Sequence, residues 1–224
     1  TGSAAVFGDL VYTAAENDYL ADENLKWETN KANEIGVELD AFKRRLHFEA
    51  AYYSKKTEGL LSRVNNGGLS DGLLNQGALK NSGMEFSASW TQSLNRDLSI
   101  TVGGNLTTFN NKVLSLAGDG KDIFDGPSIT RVGSPIGSFY GYVVEGIYQS
   151  YAEKLASPVN TEFSYGPGDL KYKDINGDGV INTDDKTIIG NPTPDFTYGG
   201  NVSVKYKGFD LGLDFGGVYG NEIF

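Results

Sequence analysis

Cysteine is absent from this 224-residue chain, which excludes disulfides, thiol nucleophiles and thiolate-ligated metals together. That absence sets no redox compartment, though it suits a protein that crosses an oxidising one. Histidine occurs once, as His47, and methionine once. Cations are scarce: 19 Lys and Arg stand against 29 Asp and Glu, a net charge of −10. Binding along a nucleic-acid backbone needs an excess of clustered basic residues, so this balance argues against a nucleic-acid partner. No apolar run approaches the ~18 residues of a membrane helix. A membrane is not thereby excluded, because a spanning β-strand needs only ~9–11 residues, apolar at alternate positions. No helical period is sustained anywhere. Thr1 opens no leader sequence, so a processed chain or a fragment is expected.

What the chain has is 30 Gly, 13 Tyr and 12 Phe, set in a period of two. Residues 1–26 are mixed and read as a loop or partial strand. Ile35, Val37, Leu39 and Ala41 then alternate with Gly36, Glu38 and Asp40. After the tight turn 43–45, Leu46, Phe48, Ala50 and Tyr52 alternate again. Residues 55–79 look looser, with turn signals at 65–68 and 71–72. Met84, Phe86, Ala88 and Trp90 lead to a short turn at 95–97, then to Leu98, Ile100, Val102, Gly104 and Leu106. The stretch 111–194 is long and irregular, with one β-like segment at 138–149. Regularity returns with Phe196, Tyr198, Gly200, Val202, Val204 and Tyr206, a turn at 207–208, and Phe209, Leu211, Leu213 and Phe215. The hairpins fall at about 30–55, 80–110 and 195–219. Short turns alternate with long connections, as in outer-membrane barrels. Tyr52, Tyr53, Tyr198, Tyr206, Phe209 and Tyr219 near strand ends fit interfacial girdles, or equally the core and surface of a sandwich.

The sharpest local signal is 174–185, which reads D-x-N-G-D-G-x-I-x-x-D-D. Asp174, Asn176, Asp178, Asn182 and Asp185 stand at loop positions 1, 3, 5, 9 and 12. Gly179 holds the sharp-turn position, Val180 offers a backbone carbonyl at position 7, and Ile181 is the apolar pin. Calcium needs six to eight hard oxygens around one point, and this spacing supplies them from one loop. Asp185 replaces the usual Glu at position 12, and its shorter side chain reaches a bidentate pose less easily. The alternative is an Asp/Asn/Gly-rich surface turn that binds nothing. No helical pattern flanks the loop, so a structural calcium site among strands is expected rather than a sensor. No enzyme is expected: the other acidic residues are scattered, and His47 sits between Leu46 and Phe48 on a strand.

Several runs together resemble the SusC/RagA family of TonB-dependent outer-membrane transporters. They are Asn24-Leu-Lys-Trp-Glu-Thr29, Asn33-Glu-Ile-Gly36, Tyr52-Tyr53-x-Lys55-Lys-Thr57, Asn75-Gln-Gly77 and Asn81-Ser-Gly-Met-Glu-Phe86. They continue with Val132-Gly-x-Pro-Ile-Gly-Ser-Phe-Tyr-Gly-Tyr142, Gly168-Asp-Leu-Lys-Tyr-Lys-Asp-Ile-Asn-Gly-Asp-Gly179, Thr187-Ile-Ile-Gly-Asn-Pro192, Phe196-x-Tyr-Gly199 and Tyr206-Lys-Gly-Phe-Asp-Leu211. The resemblance implies an all-β fold: about six spanning antiparallel strands of a larger, 22-stranded barrel with long extracellular loops. It implies import of an oligosaccharide or peptide, a SusD-like surface lipoprotein as partner, lipid around the wall, and TonB-ExbB-ExbD acting through an N-terminal part that lies outside this chain with the plug domain. Short turns belong on the periplasmic side. The strands leaving 95–97 and entering 207–208 then both meet the outside at their far ends. Residues 111–194 thus hold an even number of crossings, zero by this reading, and form one extracellular excursion. The alternative from another class is a secreted, calcium-stabilised β-sandwich module that binds carbohydrate or protein. Tyr140, Tyr142, Tyr148 and Tyr165 are candidates for stacking on sugars, or for packing the excursion.

Overall fold

The computed structural model describes residues 4–7, 10–13, 19–21, 26–64, 71–117 and 120–223. In chain order the strands are β1 (Ala4–Phe7), β2 (Leu10–Thr13), β3 (Tyr19–Ala21), β4 (Thr29–Ala41), β5 (Leu46–Val64), β6 (Asp71–Ser93), β7 (Leu98–Thr108) and β8 (Asn110–Ser115). They continue as β9 (Ile123–Asp125), β10 (Ser128–Thr130), β11 (Ser138–Gly141), β12 (Val144–Ile147), β13 (Val159–Asn160), β14 (Leu170–Tyr172), β15 (Val180–Ile181), β16 (Thr187–Gly190), β17 (Phe196–Tyr206) and β18 (Phe209–Tyr219). Among the described residues one helix, α1 (Tyr151–Ala156), and one 3₁₀ turn, Thr183–Asp185, lie between.

Six strands form a meander in the order β4-β5-β6-β7-β17-β18, every neighbouring pair antiparallel. The connection that breaks sequence order is β7 to β17, which pair along their whole length, from Phe196 opposite Thr108 to Tyr206 opposite Leu98. After β7 the chain continues as β8, which pairs with β6 from Ser82 opposite Asn110 to Ala78 opposite Ser115. It then leaves the wall and returns at β17, with no strand inserted between β7 and β17.

The period of two becomes two faces, because successive side chains point oppositely. Ile35, Val37 and Leu39 share one face with Tyr52, Met84, Trp90, Val102, Tyr198, Tyr206, Leu211 and Leu213, and all are exposed. The opposite face carries Glu38, Asp40, His47, Glu49, Ser87, Asn105, Thr107, Asn201, Asp210 and Asp214. Among the described residues no second layer covers this apolar face, whereas a sandwich buries such a face against another sheet. Tyr198 and Tyr206 lie eight residues apart on the apolar face, with Gly200, Val202 and Val204 between them, as girdle positions require.

Three expectations change. Residues 55–79 are not loose: β5 runs for 19 residues and β6 for 23, about twice the length needed to span a bilayer. A bulge around Gly59 shifts their register without ending the ladder. Tyr53 is not a girdle residue; it lies on the polar face and its hydroxyl donates to the Thr108 carbonyl at 3.3 Å. Finally, α1 interrupts the polar stretch of the excursion, capped by Ser150, whose Oγ accepts from the Glu153 amide at 3.2 Å.

Among the described residues, the buried apolar side chains sit in or beside the excursion. Ile129, Ile181, Tyr148, Val113 and Ala117 are all buried, and Ser138 and Asp185 are sealed beside them. A four-stranded sheet, β16-β11-β10-β9, and the pairs β12-β14 and β13-β15 organise the excursion.

Candidate functional site

The loop 174–185 follows β14 and contains β15 and the 3₁₀ turn. Its ends hold it shut. Asp174 Oδ1 accepts from the Gly177 amide at 2.6 Å and its Oδ2 from the Gly179 amide at 2.8 Å. Asp185 Oδ1 accepts from the Ile175 amide at 2.8 Å and Oδ2 from the Asn182 amide at 2.9 Å. Gly177 and Gly179 have φ of 77° and 83°, where only glycine is unstrained. Asn176 Oδ1 accepts from the Asp178 amide at 3.0 Å, Asp178 Oδ1 from the Val180 amide at 2.8 Å, and Asn182 Oδ1 from the Asp184 amide at 2.7 Å. Ile181, the expected pin, is 1% exposed. β15 pairs in parallel with β13: the Val159 amide donates to the Gly179 carbonyl and the Thr161 amide to the Ile181 carbonyl, both at 3.0 Å. Carbonyls alternate along an extended strand, so that of Val180 points away from β13.

Asp185 is 0% exposed, and burial by itself pushes its carboxyl up. The backbone amides of Asn182, Ile175 and Asn176 outweigh burial and leave the group below its ordinary 3.8. A sealed, ionised carboxylate beside a second carboxylate is chemistry suited to a hard cation, and the five oxygen-bearing side chains fit one in type and spacing. The fit in position is looser. Among the described residues, the only three acidic or imidazole groups whose ligand atoms lie within 4.8 Å of one another are Glu38, Asp40 and His47. Asp174, Asp178 and Asp185 do not converge that tightly.

That second cluster belongs to the polar face of the wall. The 43–45 turn sets Asp40 opposite His47 and Glu38 opposite Glu49. His47 Nδ1 meets Asp40 at 3.0 Å and Nε2 meets Glu49 at 3.1 Å, and Ser87 Oγ donates to Glu49 at 3.2 Å. Both imidazole nitrogens are thereby engaged in a polar ladder running from β4 to β6. Alternation alone did not single it out; counting register outward from the turn would have. Next to it a concavity of about 530 Å³ is lined by Glu34, Glu38, Glu49, Glu85, Asn105 and Thr107, among others.

The aromatics of the excursion pack on each other. Tyr148 is 2% exposed and its ring lies 5.3 Å from that of Tyr165, while Tyr142 lies 5.7 Å from Phe163 and 5.2 Å from Tyr172. Lys154 covers the Tyr165 ring at 4.4 Å and Lys186 that of Tyr142 at 5.2 Å. Burial raises the Tyr142 and Tyr148 hydroxyls above their ordinary range. Tyr140 stands apart, edge-on to Phe124 at 5.6 Å under Arg131.

The family model for the TonB-dependent receptor-like β-barrel matches residues 2–222. TonB-dependent receptor P3 of Formosa agariphila is 37% identical over 98% of this chain, which spans 23% of that protein. TonB-dependent receptor SusC of Bacteroides thetaiotaomicron is 27% identical over 97% of the chain, 22% of its own length. In fold, the chain resembles the RagAB peptide importer in its open-open state, with a TM-score of 0.76 at 20% identity over 99% of this chain and 24% of that one. The chain therefore spans under a quarter of each relative. A wall with an exposed apolar face, a polar reverse face and open edges at β4 and β18 is what one sector of such a cylinder looks like. The chain belongs to the TonB-dependent receptor β-barrel family, as a segment of an outer-membrane barrel.

Proposed function

We propose that this chain supplies six spanning strands and one large external excursion of an outer-membrane nutrient importer of the SusC type, taking up oligosaccharide or peptide. The observation that carries the reading is the division of the wall into two faces. Apolar rows meet lipid, and a polar ladder from Asp40 to Ser87 meets the lumen. The segment itself performs no bond-making chemistry. TonB-ExbB-ExbD would act through residues beyond it, and a SusD-like lipoprotein would cap the outer mouth.

On this reading 111–194 lies outside the cell. The loop 174–185 would hold calcium through Asp174, Asn176, Asp178, Asn182, Asp185 and the Val180 carbonyl. Millimolar external calcium makes an affinity of roughly 10⁻⁴–10⁻³ M sufficient. The buried Asp185, ionised within a loop already closed by its first and last residues, supports a structural rather than a signalling ion. Packing of Tyr142, Tyr148 and Tyr165 on their neighbours favours order in the excursion over sugar stacking by these three rings.

Two experiments on the full-length protein test the proposal. Single cysteines at Ser157 and Asp184 should react with an impermeant maleimide on intact cells; reaction only after permeabilisation would overturn the topology. Cells lacking the full protein should lose growth on a defined oligosaccharide or peptide pool, and unchanged growth on every such pool would overturn the importer assignment.

A further inference from the structure

The three short turns of the wall form one cationic rim in a chain that is otherwise strongly acidic. Lys43, Arg44 and Arg45 occupy the first turn, Arg96 the second and Lys207 the third. The rim is continuous: the Thr91 amide donates to the Arg45 carbonyl at 2.8 Å, and the Lys207 amide to the Asp97 carbonyl at 2.9 Å. The backbone works to keep the turns tight. Phe42, Lys43 and Arg44 sit at φ of 54°, 61° and 64°, and Lys207 at 53°, in the left-handed region that non-glycine residues rarely adopt. Asn95 Oδ1 accepts from the amides of Asp97 and Leu98, both at 2.9 Å, which locks the second turn.

All five cations are exposed, and among the described residues none of them forms an ion pair. Their apolar neighbours are exposed as well: Phe42 by 66%, Leu94 by 58%, Tyr206 by 47% and Phe209 by 80%. Phe42 packs on Trp90, a residue of the lipid-facing rows, with ring centroids 5.6 Å apart. The Lys207 ammonium lies over the Tyr206 ring at 5.4 Å, which brings that charge to the lipid side of the wall. Cations stand one step beyond the last apolar ring, where the hydrocarbon ends and phosphates begin.

We propose that this rim binds the anionic headgroups of phospholipids in the leaflet that surrounds the short turns, anchoring the barrel edge at a fixed depth. The inference rests on the membrane reading above, and it names the lipid chemistry and the residues that reading leaves open. The matching charge is a phosphate without a compensating ammonium, as in phosphatidylglycerol; a zwitterionic headgroup offers far less. Each cation near such a surface contributes roughly fivefold in affinity. Asp97 lies in the second turn and Asp40 faces the lumen against His47, so they reduce the field of the rim without neutralising it.

The test uses the full-length protein in vesicles of phosphatidylcholine containing a minority of phosphatidylglycerol. Spin-labelled lipids of each headgroup report which is enriched in the first shell around the barrel. The native protein should enrich phosphatidylglycerol several-fold, and the enrichment should fall with salt. Changing Lys43, Arg44, Arg45, Arg96 and Lys207 together to Gln should abolish it in protein that still migrates as a folded barrel. A second variant, R44K/R45K/R96K, keeps the charge and should keep the enrichment, whereas a purely structural role of the guanidinium groups would lose it. Lys173→Gln, at the opposite end of the molecule, should change nothing. Undiminished enrichment in the folded Gln variant, or none in the native protein, overturns the proposal. The measurement is indifferent to which way the barrel points, so it fails independently of the maleimide topology test.

Discussion

In the wall, Ile35, Val37, Leu39, Leu211 and Leu213 are each more than half exposed, while in the excursion Ile129 and Ile181 are sealed. Both regions are built on β-strands, and they differ in what solvates them. The wall needs no protein inside, because lipid covers its apolar rows and its backbone is satisfied strand to strand. The excursion meets water and has to build its own interior. It does so with short strands, paired aromatic rings and a loop whose carboxylates take up backbone amides. Stability in the wall therefore depends on which side of the strand a residue faces, and stability in the excursion on whether a residue is enclosed.

The largest expected effect tests the wall. Leu213→Arg places a charge against hydrocarbon and should cost about 2–4 kcal/mol, whereas Asp214→Arg on the polar face should cost far less. Denaturant titration of the full-length barrel in vesicles reads both. Equal losses at 213 and 214 would erase the distinction between faces. Spin labels along 209–215 should likewise alternate between oxygen and aqueous-quencher access.

The next effect belongs to the excursion. Asp185→Ala strands the part-buried amides of Ile175 and Asn182, at up to about 1–3 kcal/mol for each donor. Proteolysis should then open 168–190 while the barrel stays folded. Acid should do the same by a second route. The Asp185 carboxyl lies below its ordinary 3.8 in the folded chain, so its contribution is complete above that pH and is lost as pH falls further, through the folded value. A loop as protected well below pH 3.8 as at neutrality would remove Asp185 from the account.

A smaller effect probes close packing within the wall. Gly200 pairs with Phe215 and Gly217 with Tyr198, each ring lying over the glycine opposite. A Cβ on Gly200 would run into the Phe215 ring, so Gly200→Ala should cost about 1–2 kcal/mol and the double change with Phe215→Ala less than the sum. Strict additivity in thermal unfolding would rule out the contact.

Calcium gives the smallest shift. At millimolar calcium and an affinity of roughly 10⁻⁴–10⁻³ M, a bound ion would add about 1 kcal/mol to the excursion and nothing to the wall. A chelator should therefore speed cleavage of 168–190 in the native protein and leave Asp174→Ala unaffected. Identical cleavage with and without calcium in the native chain would leave a loop held only by its own hydrogen bonds.

Much of the wall could be read directly from the alternation of Phe209 to Phe215 or Met84 to Trp90, because a period of two has one structural meaning when one face is apolar. The adjacent tyrosines at 52 and 53 defeated that reading, since parity admits only one of them to the girdle. The length of β5 and β6 escaped it too. Their upper halves are held by a backbone ladder with a bulge at Gly59, which leaves no periodic trace in the side chains. Helix α1 was signalled by Ser150 and Glu153, a capping pair with too few residues after it to establish a helical period. In the candidate loop the spacing of Asp174, Asn176, Asp178, Asn182 and Asp185 was plain, as was Ile181 as the pin.

Local chemistry by itself determined the strand faces, the turns and the loop from Asp174 to Asp185, because each depends on residues within a few positions of one another. Tertiary structure decided what lies far apart in sequence: that β7 meets β17 across an excursion of more than eighty residues, and that Asp185 is sealed. Pairing between distant strands is set by which edges remain free once local hairpins close, and no single segment carries that information.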